Sequence, residues 1–260
     1  MKLLEGKTAL VFGVANDHSI AWGIAKSMHE HGARVAFSYA SDALERRVRP
    51  LAESIESTFV EKCDVTDDDQ IEALFKKAQD ELASIDILIH AIAFAERDDL
   101  QGAFHQTSRA GFNLAMEISV YSYIALARAA KPLMSPGSSM LTLTYYGAQK
   151  AVPNYNVMGV AKAALEATTR YLAVDLGRDH IRVNAISAGP VRTLSAAGVS
   201  GFKRMYREFT SYAPLGEPIS IEDIGGAAVW LGSDLASKVT GEVLFVDSGY
   251  NIVGIPEALE

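Results

Sequence analysis

The stretch GVANDHSIAWG, from Gly13 to Gly23, carries residue types that can hold a phosphate. It follows the apolar run KTALVF and leads into a helical pattern, so it joins a strand to a helix. Gly13 ends the strand, where a side chain would block a close backbone turn. Ser19 stands at the N-cap position of the helix. Its hydroxyl and the first free backbone N–H groups can meet a pyrophosphate at the positive helix end. Gly23 lets the helix approach the strand or a ligand. The spacing is not the Gly-x-Gly-x-x-Gly of an ordinary dinucleotide turn. Two other strand ends carry chemistry, because ligands of open α/β sheets gather outside the carboxyl ends of the strands. In CDV (63–65), Asp64 can accept a hydrogen bond from an adenine amino group while Val65 packs beside the ring. In HAIAFA (90–95), Ala91 and Ala93 leave room for a ribose. Taken singly, each has a plainer reading: a simple connection, a helix-capping acid, tight core packing.

These residues need strands and helices to position them. Apolar, β-branched runs at 8–12, 34–39, 58–63, 85–90, 139–144, 181–186 and 243–246 alternate with helical patterns. In TDDDQIEALFKKAQDEL, Ile71, Leu74, Phe75, Ala78 and Leu82 share one helix face, and Thr66 is placed to cap it. Strands alternating with helices predict an α/β chain: a single-domain, doubly wound Rossmann-type fold over residues 1–260. It has a seven-stranded parallel sheet with helices on both faces. The segment 160–176 is apolar on more than one helical face, which predicts contact with another subunit.

Bulk properties exclude several classes. A net charge of -8 argues against a nucleic-acid protein, whose footprint is usually basic. The single cysteine, Cys63, excludes an internal disulfide or a cysteine metal cluster, and the six histidines show no ligand spacing, so no metal is expected. His90, on a strand, reads as a satisfied core histidine. The N-terminus lacks a signal-peptide pattern and no apolar run reaches the ~18 residues of a membrane span. A cytoplasmic protein without membrane insertion is the expectation.

The segment AKAALEATTRYLAVDLGRDHIRVNAISAGPVRT (161–193) resembles the catalytic helix, next strand and proline turn of the short-chain dehydrogenase/reductase superfamily, and GEVLFVDSG (241–249) its last strand. That superfamily uses a tyrosine to polarise or protonate a carbonyl oxygen, and a lysine to bind the nicotinamide ribose and favour charge on that oxygen. Tyr146 and Lys150 have the usual spacing, but Lys162 stands 22 residues before Asn184, where the superfamily lysine falls. Lys150 is 12 residues too early, with Pro153 between. The resemblance therefore assigns Lys162 and Tyr155, which lie seven residues apart, or two turns along one helix face. The tyrosine has moved about 4.5 Å along the axis relative to the usual pair. That shift suits an enoyl thioester, in which hydride enters the β-carbon and charge appears on an oxygen two carbons away.

With GVANDHSIAWGIA, LTLTYYGA and VPNYNVMGVAKAALEA, the chain resembles the bacterial enoyl-acyl-carrier-protein reductase branch over nearly its whole length. The resemblance implies that Tyr155 stabilises an enolate, Lys162 anchors the ribose, and Tyr145 also lies in the active site, positioning the acyl chain. It implies that Gly13 and Ser19 hold the pyrophosphate, that Ile20 and Ile92 pack along the cofactor, and that Val191 and Thr193 hold the nicotinamide carboxamide. Residues 193–212 would form a lid, with small Gly198 and Gly201 before an amphipathic piece. Phe202, Met205 and Tyr206, with Ala95, would touch the substrate. Lys203, Arg204 and Arg207 offer a docking patch for an acidic acyl carrier protein. Neither Ala40 nor Ser41 is basic, and Asp42 disfavours a 2′-phosphate, while Arg46 and Arg47 could reach one. Relatives using NADH commonly carry glutamine at position 40, which this chain lacks; NADH is favoured over NADPH. A homotetramer is implied. Two other readings remain: a ketone reductase using Tyr146 and Lys150, with Ser138 or Ser139 on the preceding strand, and a nicotinamide-binding regulator without catalysis.

Overall fold

The computed structural model describes residues 2–197 and 201–255. Its centre is a seven-stranded parallel sheet of β1 (Thr8–Phe12), β2 (Arg34–Tyr39), β3 (Val60–Lys62), β4 (Ile87–His90), β5 (Ser139–Thr144), β6 (Arg182–Ala188) and β7 (Val243–Val246). The strand order is β3-β2-β1-β4-β5-β6-β7. Three strand spans differ from the sequence expectation: β3 and β4 start two residues later than the runs at 58–63 and 85–90, β3 stops at Lys62, and β6 starts one residue later and runs on to Ala188. The apolar flanks of these runs fill the core without pairing in the ladder.

Helices cover both faces. Helices α1 (Ile20–Glu30), α2 (Asp42–Ser54) and α9 (Ile221–Gly232) lie on one side; α3 (Asp68–Leu82), α4 (Arg109–Met116), α5 (Ser122–Ala130) and α6 (Asn156–Gly177) lie on the other. Period-2 alternation divides each strand between two cores: Ala9 and Val11 of β1 pack with α1, whereas Leu10 and Phe12 pack with α3. Near-continuous apolar strands follow from this two-sided burial. Above the sheet lie α7 (Leu194–Ala197) and α8 (Phe202–Tyr212). Within 193–212 the residues 198–200, including Gly198, lie outside the described ones.

Two local expectations change. Asp67, not Thr66, caps α3: its carboxylate accepts from the Asp69 and Gln70 amides. A carboxylate has two acceptor oxygens, and Asp67 also takes the Gln70 side-chain amide at 2.8 Å. Thr66 instead donates to Asp64 at 2.8 Å. Gly23 lets α1 approach neither strand nor ligand; a Cβ there would collide with Ile221 at the start of α9. The order of strand addition reverses between β1 and β4, which run parallel, so the carboxyl ends of these two strands open a crevice.

Candidate active site

The crevice is built first by Gly13. It follows β1 with φ of 101°, and a Cβ would overlap the Ala91 carbonyl at the end of β4. Only glycine permits both the left-handed backbone and this approach. Ser19 then shapes the loop. Its hydroxyl accepts from the Ala15 and Asn16 amides at 3.0 and 2.9 Å and donates to the Asn16 carbonyl at 2.7 Å. It makes no side-chain cap bond, so Ser19 orders the turn while the α1 amide dipoles remain aimed at the crevice. The hydroxyl is thus a loop clasp more than a ligand donor.

A cavity of about 510 Å³ runs from this turn across the sheet ends, walled by Gly13, Ser19, Ile20, Ala91, Ile92 and Ala95, then by Tyr145, Tyr155 and Lys162, and closed by Val191, Thr193, Phe202 and Met205. These thirteen positions, with Ala93, are expected from sequence and meet in one space. Ala40, Asp64 and Val65 do not line it. They sit at the carboxyl ends of β2 and β3; Val65 is buried, and Asp64 holds the Thr66 amide and hydroxyl at 3.0 and 2.8 Å. Beside them Asp42 is ion-paired with Lys62 at 2.8 Å, so it presents less free negative charge than its sequence position suggested.

The consecutive residues Leu143, Thr144 and Tyr145 each hold a side chain of α6 or of its cap. Lys162 Nζ donates to the Leu143 carbonyl at 2.8 Å. The Thr144 hydroxyl donates to Glu166 at 2.9 Å. The Tyr145 and Tyr155 rings meet edge to face, centroids 5.0 Å apart. Tyr155 is the cap residue before α6 rather than part of the helix, flanked by Asn154 and Asn156 at φ of 62° and 33°. Asparagine tolerates this region better than most side chains. Asn156 is tied by its amide to the Gln101 and Gly102 carbonyls at 3.4 and 3.3 Å.

Burial sets the protonation states. It pushes Tyr155 above the ordinary tyrosine range and Tyr145 up to about 12, so both remain neutral donors. Lys162 is pushed down to about 8 by desolvation, opposed by the Glu166 charge. His90 is pushed down to about 3, chiefly by burial, and both ring nitrogens lie 2.8 Å from a hydroxyl, of Thr142 and Ser122. It is the satisfied core histidine expected.

The alternative pair separates. Tyr146 packs edge to face on Tyr250, centroids 5.7 Å apart, Lys150 is exposed, and neither lines the cavity. Ser138 and Ser139 lie at the far end of β5, donating to Ile85 and Leu231 carbonyls. Tyr206 also departs from expectation. It turns to the back of α8, where Arg192 lies over its ring at 4.6 Å from the centroid, because adjacent helical residues point about 100° apart. Met205 faces the cavity, where its sulfur accepts from the Tyr145 hydroxyl at 3.5 Å. Lys203, Arg204 and Arg207 are exposed, with Arg204 paired to Glu208 at 2.6 Å.

Two site features carried no sequence signal. The helix 109–130 contains a π turn, Glu117–Tyr121. It puts the buried Ser119 hydroxyl on both backbone groups of Phe94, accepting from its amide at 3.1 Å and donating to its carbonyl at 3.2 Å. Glu166 is buried one turn beyond Lys162. Among the described residues no group of His, Cys, Asp and Glu could hold a metal, and no helix is long and apolar enough to cross a membrane.

A family model described as enoyl-(acyl carrier protein) reductase matches residues 13–251. The chain is 55% identical over 256 residues to the NADH-dependent enoyl-acyl-carrier-protein reductase of Bacillus cereus, covering 98% of this chain and 100% of that one. It is 53% identical to the corresponding Aquifex aeolicus protein over 98% of this chain and 95% of that one. Among solved structures, the B. cereus reductase with NADP+ and indole naphthyridinone superposes at a TM-score of 0.96 with 54% identity, covering 98% of this chain and 100% of that one. The A. aeolicus reductase superposes at 0.94 with 53% identity, covering 97% and 100%.

Proposed function

The chain belongs to the enoyl-acyl-carrier-protein reductase family, and from that premise we propose how its own residues carry the reaction. It is an NADH-dependent oxidoreductase that reduces an enoyl thioester carried on acyl carrier protein, in fatty-acid synthesis. The cavity fits the pyrophosphate and nicotinamide end of the dinucleotide: a side-chain-free cradle at Gly13, the amino end of α1 and a buried lysine all line it. When bound, the nicotinamide supplies hydride to the β-carbon.

Tyr155 donates its hydroxyl proton as a hydrogen bond to the thioester oxygen and stabilises the enolate that forms there. Its raised pKa keeps the proton on the phenol through the physiological range. Lys162 holds the ribose hydroxyls and adds positive charge near the developing oxyanion. Tyr145 buttresses the Tyr155 ring and, through Met205, links it to the lid. Thr193, Phe202 and Met205 of the lid 193–212 close over the acyl chain and exclude water. Ala40, Asp64 and Val65 take the adenine end, beyond the cavity. Lys203 and Arg207, exposed on α8, dock the acidic carrier. Cytoplasmic work as a homotetramer belongs to the same reading, supported by the apolar outer face of α6, where Tyr171 and Val174 are 75% and 68% exposed.

The observation that carries this reading is the meeting of Tyr145, Tyr155 and Lys162 with the Gly13–Ser19 turn in one cavity. Oxidation of NADH with crotonyl thioester, but not acetoacetyl thioester, is the expected result. Oxidation with the ketone alone would reverse it.

A further inference from the structure

Lys162 is a buried cation, and a buried cation without a counter-charge loses its proton. The groups around it come from several elements. From β4 there is His90, held neutral by burial. From the end of β5 and the cap of α6 there are Tyr145 and Tyr155, both neutral. Across the cavity lies Arg97, exposed and of the same sign as the lysine. On α6 itself, one turn on, is Glu166, with 6% of its surface accessible, as for Lys162. Among the described residues that face Lys162, Glu166 alone brings negative charge.

The two side chains are also held by adjacent residues of one strand. Leu143 takes the lysine through its carbonyl, and Thr144 takes the carboxylate through its hydroxyl. Residues four apart on a helix are neighbours, with Cβ atoms about 5–6 Å apart. The end of β5 therefore sets both members of the pair, and the Thr144 hydroxyl satisfies the carboxylate without neutralising it.

We propose that Glu166, anchored by Thr144, is a positioning residue for the reaction: its carboxylate is the built-in counter-charge that keeps Lys162 cationic before any cofactor is bound. The role of Lys162 in catalysis rests on the function proposed above; its charge state does not, and can be measured alone. Electrostatics at this separation in a protein interior corresponds to about one to two pH units in the midpoint of a partner's titration.

The test is a pH titration of the full-length protein without ligand, labelled with ¹³C at lysine Cε and glutamate Cδ and followed by NMR. The Lys162 and Glu166 signals are assigned by their loss in Lys162→Met and Glu166→Gln. Glu166→Gln keeps the shape and a hydrogen-bonding group beside Thr144 but removes the charge. Its Lys162 midpoint is expected to fall by about one to two pH units, and Glu166→Asp, which retains charge, to restore at least half of that shift. The high-pH limb of kcat/KM with crotonyl thioester should fall by the same amount. An unchanged Lys162 midpoint in Glu166→Gln, or an equal fall in Glu166→Asp, overturns the proposal. Should Glu166→Gln not fold, the wild-type glutamate signal decides: a Glu166 that is protonated at neutral pH overturns it, and an ionised one that senses the lysine titration supports it. A kcat/KM profile that does not move while the Lys162 midpoint does would count against the proposed role of Lys162 in catalysis, not against this pairing.

Discussion

At the scale of single residues, the site depends on which protons stay where they are. Tyr155 is kept neutral by burial, and its only reach toward the chemistry is one O–H. Tyr155→Phe should therefore lower kcat by about 10²–10³, as removal of one oxyanion donor does, while NADH affinity measured by fluorescence titration stays within twofold. Lys162 is the group closest to its titration point. Its pKa is lowered to about 8, so the proton is present below that pH and leaves as the pH rises through it. The tyrosines, shifted the other way, do not titrate there. The expected kcat/KM profile is flat below pH about 8 and falls toward tenfold per unit above it. A profile flat through pH about 10 would remove the charged lysine from the mechanism.

At the scale of elements, position comes from irregularities in otherwise regular segments. The π turn at Glu117–Tyr121 advances Ser119 so that one hydroxyl serves both backbone groups of Phe94. Phe94 belongs to the loop after β4 that walls the cavity with Ile92 and Ala95. Ser119→Ala leaves the Phe94 amide without that acceptor, a local loss of about 1–3 kcal/mol. Exchange of the Phe94 amide should accelerate by about 10–100-fold, and KM for the enoyl thioester should rise several-fold with kcat nearly kept. The start of α6 shows the same logic: two asparagines with positive φ flank Tyr155 and turn the chain into the helix. A regular helix through 155 would place Tyr155 and Lys162 by periodicity alone; here the cap places the tyrosine and the helix places only the lysine.

At the scale of the whole molecule, two exposed surfaces remain to be used. Tyr171 and Val174 of α6, with Tyr121 and Ile124 of the helix beside it, form apolar surface facing away from the sheet. If these faces build the proposed tetramer, Tyr171→Glu with Val174→Asp should shift light scattering toward smaller species without loss of far-UV signal. An unchanged mass would place the interface elsewhere. The second surface is the outer face of α8. Lys203→Glu with Arg207→Glu should raise KM for an acyl-carrier-protein substrate about tenfold and leave KM for the coenzyme A thioester unchanged. Equal effects on both would mean that the charges act on the lid and not on the carrier.

The sequence by itself determined the architecture and about half of the cavity wall. Alternating apolar runs and helical patterns fix which strands can be parallel and buried on both faces, and the resemblance between residues 141 and 193 separates Lys162 from Lys150 before any coordinates exist. Such features are local or periodic, so they are written along the chain. Only the tertiary structure decided the rest, because it depends on neighbours distant in sequence. Gly13 meets Ala91 and Gly23 meets Ile221 through approaches that no spacing reveals. The competition among Asp64, Thr66 and Asp67 for one helix end was settled by geometry at the level of single bonds. Tyr206 and Met205, adjacent in sequence, face different sides of α8, only Met205 lining the cavity. Glu166 and Ser119 look like ordinary helix residues until burial and a π turn set them against Lys162 and Phe94. Charge and hydrogen bonding act over a few ångströms in space, and folding alone decides which residues share that distance.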